Sequence, residues 1–213
     1  MTNAPPLSPM AQGFAKGPGW FPQQMDAATD RVLLVRMTEE NYREASFLDQ
    51  RMLSQQSQPQ WAGWAELEAA GQANRSDADF IFHIGHVGST LISRLLGELD
   101  GVFALREPQI LRNFADLAAD RGAAHAVWSP EQFDQRLQTA IAWLSRGFTP
   151  QDRAQIKASS FVGEIAAAMI GNHRKALLLS VSPHRYLATI LAGENSRQEL
   201  AMLAPVRLKR LHK

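Results

Sequence analysis

The stretch from Phe80 to Leu96 constrains the fold more than any other part of this chain. An apolar run, Phe80-Ile81-Phe82-His83-Ile84, meets a glycine turn, Gly85-His86-Val87-Gly88-Ser89-Thr90, and continues into a leucine-rich segment of helical character. A strand, a glycine turn and a helix in that order form an anion cradle. Glycine lets the backbone fold tightly around the anion. The unpaired N–H groups at the helix start point at it, and the helix dipole adds positive potential. The hydroxyls of Ser89 and Thr90 fall where a phosphate oxygen would sit. The implied occupant is a phosphorylated, nucleotide-like ligand, although a strand–turn–helix without a ligand produces the same pattern.

Two common phosphate motifs do not fit. The nucleotide-hydrolysing loop needs G-x-x-x-x-G-K-[ST]. With Gly88-Ser89-Thr90 aligned on G-K-[ST], the lysine position holds Ser89 and the first glycine position holds His83. G-x-G-x-x-G fails as well, because Gly85 and Gly88 have no third glycine in place. Ordinary ATPase, GTPase and dehydrogenase readings lose most of their weight.

The loop resembles instead the 5′-phosphosulfate loop of the P-loop sulfotransferases, in which a strand runs into P-[KR]-S-G-[ST]-T and then a helix. Gly88, Ser89 and Thr90 match at the glycine and both hydroxyls, and the whole segment is similar to the G-H-x-G-S-T-L-x-S-R-L-L form of the bacterial sulfotransferase-like subgroup. Leu105-Arg106-Glu107-Pro108-Gln109 resembles the Glu-containing segment after the second strand of tyrosylprotein and related sulfotransferases. The likeness spans residues 80–197. It implies an α/β, three-layer P-loop-type fold with a parallel sheet flanked by helices. It also implies binding of 3′-phosphoadenosine 5′-phosphosulfate (PAPS) and transfer of its sulfuryl group to a small-molecule or peptide acceptor. The cofactor residues it implies are Gly85, Val87, Gly88, Ser89, Thr90 and Leu91, with Arg94 on the polar side of the loop helix.

The chain departs from the family twice. The basic residue that stabilises the leaving oxygen is here His86, whose neutral imidazole donates one hydrogen bond but carries no charge. At the 3′-phosphate the family has an Arg, where this chain has Ser182; Arg185 and Thr189 are the nearest substitutes. The family's domains also continue for tens of residues past the equivalent of Leu211, so a C-terminally short version, truncated or natural, is expected.

Length and composition set wider bounds. At 213 residues, with 45% hydrophobic and 20% charged residues, the chain suits one globular domain with a sizeable core. A net charge of +1 gives no argument for nucleic acid or a membrane surface. With no cysteine, disulfides, thiolate metal sites and cysteine nucleophiles are excluded, which fits the cytoplasm. No apolar run approaches the roughly 20 residues of a membrane span. Five prolines and several glycines make residues 1–25 an extended, flexible arm. Residues 26–78 are expected as a strand (31–36) and helices packing on the core: one capped by Thr38, another carrying Trp61, Trp64 and Leu67 on one face. The core, residues 79–213, alternates strands at 80–84, 102–105, 154–158 and 175–181 with helices. That alternation specifies a parallel, doubly wound sheet. The helix after the loop is expected to bury Leu91, Ile92, Leu95, Leu96 and Leu99. A further helix is expected over 159–170, and Pro205 is expected to interrupt the last one.

Ligands in such sheets bind at the carboxyl ends of the strands. His86, Arg106, Glu107, Lys157, Ser159 and Arg185 all follow predicted strands. Glu107 is the candidate general base, since an acceptor hydroxyl must lose its proton as it attacks. A helix-start glutamate favoured only by the dipole would look the same. Lys157 is a further candidate cofactor contact: it ends a buried strand, where an unpaired ammonium is costly and a phosphate or carboxylate partner would offset the cost. Arg106 and Arg112 are phosphate contacts or surface charges, and His83 is a hydrogen-bonded core histidine. No histidine spacing implies a metal, and no G-x-S-x-G triad appears. Two other functions stay open: a kinase-like phosphotransferase on the same sheet, and a non-catalytic domain binding a nucleotide or a protein partner.

Overall fold

In the computed structural model, which describes residues 7–54, 57–71, 75–171 and 173–211, the chain is α/β. The element order is α1 (Pro9–Ala15), β1 (Trp20–Asp26), β2 (Arg31–Arg36), α2 (Glu39–Glu44), β3 (Gln60–Gly63), α3 (Trp64–Ala70), β4 (Asp79–His83), α4 (Ser89–Leu96), β5 (Val102–Arg106), α5 (Gln109–Ala118), α6 (Pro130–Leu144), β6 (Arg153–Lys157), α7 (Ala166–Ile170), β7 (Ala176–Leu179), α8 (Pro183–Ala192) and α9 (Glu194–Leu211). Strands β5-β6-β4-β7 form a parallel sheet flanked by helices, and β1-β2-β3 form a small antiparallel sheet. Among the described residues no helix is long and apolar enough to cross a membrane.

The parallel strands are short, with apolar centres buried in β4, β5 and β6, whereas Leu177 and Leu178 on the edge strand β7 are exposed. Phe80, Ile81, Phe82, Leu105 and Ile156 are buried. The register matches Arg106 with Lys157 and Ile81 with Lys157, so the carboxyl ends of β5, β6 and β4 lie together. Strand β4 occupies an interior position, with β6 on one side and β7 on the other. The connection leaving β4 runs to β5 on one side and that leaving its neighbour β6 runs to β7 on the other, which opens a crevice at the carboxyl ends of these two strands.

Local signals account for several elements. Thr38 and Asn41 form a capping box on α2, and Ser129 and Gln132 form one on α6, where Pro130 occupies the first turn without losing a bond. The antiparallel sheet and its helices share one core with the parallel sheet, through ring contacts such as Tyr42 with Phe103 and Trp64 with Phe114.

Five expectations change. Residues 9–26 are not an extended arm: Ser8 caps α1, Pro9 starts it, and Phe14 and Phe21 are buried; residues 1–6 lie outside the described residues. Proline at a helix start or on an outer strand costs no ladder bond, so proline content alone misreads this segment. Trp61 lies on β3 opposite Leu33 and is partly exposed, so it shares no helical face with Trp64 and Leu67, which are buried on α3. The helix expected over 159–170 is a turn at Ser159, a 3-10 turn at Gly163–Ile165 and the short α7. Helix α9 runs through Pro205. Proline frees the carbonyl four residues earlier, and exposed Ala201 can give that group to water.

The fifth change concerns α4. Two of its leucines do not face the sheet: Leu91 and Leu95 are each 61% exposed, while Ile92 and Leu96 are half-buried. The helix packs through its small residues instead. Ser89 and Ser93 are buried, Ser93 Oγ donates to Gln155 Oε1 at 2.9 Å, and a Cβ on Gly97 would stand 2.9 Å from the Ala104 Cβ.

Candidate phosphate cradle and carboxylate site

The loop between β4 and α4 has three residues with left-handed backbone: Gly85 (φ 94°), His86 (φ 53°) and Gly88 (φ 78°). Glycine takes this conformation freely, whereas for His86 it is uncommon and locally strained. Gly88 is the N-cap of α4 and provides no side-chain cap. The first bond across the helix start runs from the Ile92 N–H to the Gly88 carbonyl, so the N–H groups of Ser89, Thr90 and Leu91 have no partner among the described residues. A Cβ on Gly88 would meet nothing within 4 Å, so the concave side is open. An uncapped row of donors beside open space at a sheet's carboxyl edge suits an anion. Gly85 contributes through shape alone, because its N–H is already given to His83 Nδ1 at 3.0 Å.

Beneath the loop the ends of β4, β5 and β6 bring three ionisable groups together. Lys157 Nζ donates to Glu107 Oε1 in a short contact, and His83 Nε2 lies 3.8 Å from the same oxygen. The Lys157 side chain is 1% exposed and that of Glu107 17%. The Glu107 carboxylate is the anionic partner that the burial of Lys157 demands. Burial pushes the Lys157 ammonium below its ordinary range; Glu107 pulls it back up, and Arg51 and Arg106 push it down. Glu107 has a left-handed backbone, φ 54°, and its N–H donates to the Lys157 carbonyl at 2.7 Å. Glu107 Oε2 has no hydrogen bond among the described residues and remains able to accept one.

The remaining predicted residues divide. Val87 and Thr90 sit in the cradle, half-buried. His86 is exposed, with its Nε2 3.4 Å from Ser196 Oγ on α9. Arg185 lies in the first turn of α8 and its guanidinium has no partner among the described residues; Ser182 is simply the cap of that helix, accepting from the Arg185 N–H. The Thr189 hydroxyl donates to the Arg185 carbonyl, 2.9 Å away. Arg94 turns away from the loop and donates to Ser46 Oγ at 2.8 Å. Arg106 is neither a phosphate contact nor a surface charge: it is 3% exposed and donates to the carbonyls of Tyr42, Arg43 and Ala45 at the end of α2. Arg112 stacks on the Phe161 ring.

Two contributors escape sequence reasoning. Tyr186 lines a small cavity with Gly85 and His86. It also borders a cleft of about 730 Å³ that includes His83, Ser160 and Phe161. Phe47, on the segment after α2, places its ring 5.5 Å from Lys157 Nζ. That segment is tied to β5 by the Leu48 N–H, which donates to the Arg106 carbonyl. No local pattern marks Phe47, since only a long-range backbone bond brings it there. Tyr186 carries a weak signal, one residue from Arg185.

The cradle sets the next test. Gly88→Val puts a β-branched residue where φ is +78°, a conformation it strongly disfavours. The loop must rearrange and the donor row loses its aim. Binding of 3′,5′-bisphosphoadenosine measured by calorimetry is expected to disappear, while the circular dichroism spectrum stays native. Unchanged affinity would remove the loop from the binding site.

Comparison with protein-family models, with curated proteins and with solved structures gives no match.

Proposed function

We propose that this chain is a sulfotransferase that binds PAPS at the Gly85–Leu91 loop and moves its sulfuryl group to a hydroxyl or amine of a small-molecule or peptide acceptor. The observation that carries this reading is the free Glu107 Oε2 beside an uncapped phosphate cradle. PAPS supplies the sulfuryl group and a phosphate leaving group. The chain's residues do the rest. Uncapped N–H groups of Ser89, Thr90 and Leu91 hold the phosphate end. Glu107 Oε2 takes the acceptor proton as the new S–O or S–N bond forms, while Lys157 holds Oε1 and so fixes the carboxylate's direction. His86 donates toward the oxygen that leaves. Arg185, free of partners among the described residues, is the cation for the 3′-phosphate. We assign the activity to the cytoplasm, with which a chain without cysteine is compatible.

A kinase-like phosphotransferase is the second reading, favoured by the parallel sheet with its central loop strand. Ser89 in place of the loop lysine counts against it. One comparison separates the two. A ligand that binds only the native state raises the melting temperature. 3′,5′-Bisphosphoadenosine is expected to do so without magnesium, and more strongly than ATP or ADP. A response to ATP that needs magnesium, with none to the bisphosphate, would replace the sulfotransferase reading by the phosphotransferase one.

A further inference from the structure

His83 sits between the cradle and the carboxylate site, and its two ring nitrogens do different things. Nδ1 accepts the Gly85 N–H at 3.0 Å, so it carries no proton. In a neutral imidazole the proton is then on Nε2. That atom is buried and has no hydrogen bond among the described residues. Its acidic neighbour is Glu107 Oε1, 3.8 Å away, and the side chain is 6% exposed. A buried N–H without a partner is rare and costly. Here it faces a carboxylate already held by Lys157.

We propose that His83 is a positioning residue that links the two halves of the site: through Nδ1 it locks the turn at Gly85, and through Nε2–H it orients the Glu107 carboxylate. The description of Glu107 as a base rests on the sulfotransferase reading; the link itself does not. The surroundings keep the ring neutral, as the link requires. Burial lowers its proton affinity, Lys157 at the end of β6 lowers it further, Glu107 at the end of β5 and the backbone of Ala158 just past β6 raise it, and His86 in the loop lowers it slightly. On the β7 side the register partner is the uncharged Leu179, and Glu164 and Tyr186 line the cleft beside the ring. The 3.8 Å gap exceeds a hydrogen bond, and catalytic hydrogen bonds often tighten only when ligands close the site. Protonation of Nδ1 would eject the Gly85 N–H, so the link works only with a neutral ring.

Two substitutions separate the two nitrogens. The Asn amide oxygen stands where Nδ1 stands, and the Gln amide nitrogen reaches where Nε2 stands. In wild-type protein labelled with ¹⁵N-histidine, the spectrum at neutral pH is expected to show His83 with Nδ1 bare and Nε2 protonated. Glu107→Gln should then move the Nε2 resonance. The Gly85 amide should exchange slowly in wild type and in His83→Asn, and quickly in His83→Gln. Affinity for 3′,5′-bisphosphoadenosine should follow the same split, unchanged in His83→Asn and about tenfold weaker in His83→Gln. A protonated Nδ1 in wild type overturns the proposal with no variant needed, as does equal Gly85 exchange in the two variants. A wild-type protein that ignores the bisphosphate but shows the stated tautomer and exchange split defeats the sulfotransferase reading and leaves the link standing.

Discussion

Glu107→Gln is expected to lower sulfuryl transfer by about 10²–10⁴-fold, the usual range for losing a general base, with the affinity for 3′,5′-bisphosphoadenosine unchanged. The substitution is nearly isosteric. The amide oxygen of the introduced glutamine can keep the contact that Lys157 now makes with Oε1. The amide nitrogen then takes the place of Oε2, so a group that accepts a proton becomes one that only donates. The buried Lys157 loses its charged partner, so the melting temperature is expected to fall as well, but the kinetic damage falls on the step in which the acceptor loses its proton. Transfer from PAPS across a panel of alcohols, phenols and amines measures the rate, and calorimetry measures the affinity. Full activity in the variant would end the assignment of Glu107 as base. A fall in affinity as large as the fall in rate would show that the carboxylate shapes the cradle instead.

Arg106→Met is expected to destabilise the fold by about 3 kcal/mol, through the loss of charge-assisted hydrogen bonds and the exposure of buried acceptors. The guanidinium donates to three main-chain carbonyls, of Tyr42, Arg43 and Ala45, at the end of α2. Those carbonyls are the orphan acceptors of a helix C-terminus, where the dipole also favours a cation. Methionine fills much of the same space but donates nothing. For a domain of this size the melting temperature should fall by about 6–12 °C. A fall of under about 1 °C, well below that range, would mean that water satisfies the three carbonyls as well as the guanidinium does. The same residue shows why Leu105-Arg106-Glu107 reads ambiguously. In the sequence both charges follow a strand and both qualify as site groups. In the structure their side chains part, one to the end of α2 and the other toward Lys157.

The parallel sheet is legible in the sequence because its strands are short apolar runs separated by helical segments and glycine turns, and periodicity reports those features directly. The cradle is legible for the same reason: glycine, hydroxyl and helix start lie within one continuous segment. The Glu107–Lys157 contact is half legible. Burial at the end of β6 demands an anionic partner for Lys157, but strand order decides which one, and order follows from long-range pairing. His83 reads in the sequence as a hydrogen-bonded core histidine, and its Nδ1 bond agrees. The position of Glu107 near its other nitrogen depends on two different strands. Arg94 misleads because helical spacing fixes the face of a side chain but not what approaches that face. In this fold the approaching group is the segment after α2, which carries Ser46.

The seating of α4 on Ser89, Ser93 and Gly97 inverts the ordinary relation between hydrophobicity and tolerance of change. In most amphipathic helices the leucines are the fixed points and the small polar residues drift. Here Leu91 and Leu95 are free of the sheet, whereas Gly97 has no room for a methyl group beside Ala104. A larger residue at Ser93 or Gly97 would lift the helix and tilt its first turn, and that turn carries the donors of the cradle. The residues that govern the aim of the anion site are therefore the least conspicuous ones in the segment, lying one and two turns away from the ligand they would serve.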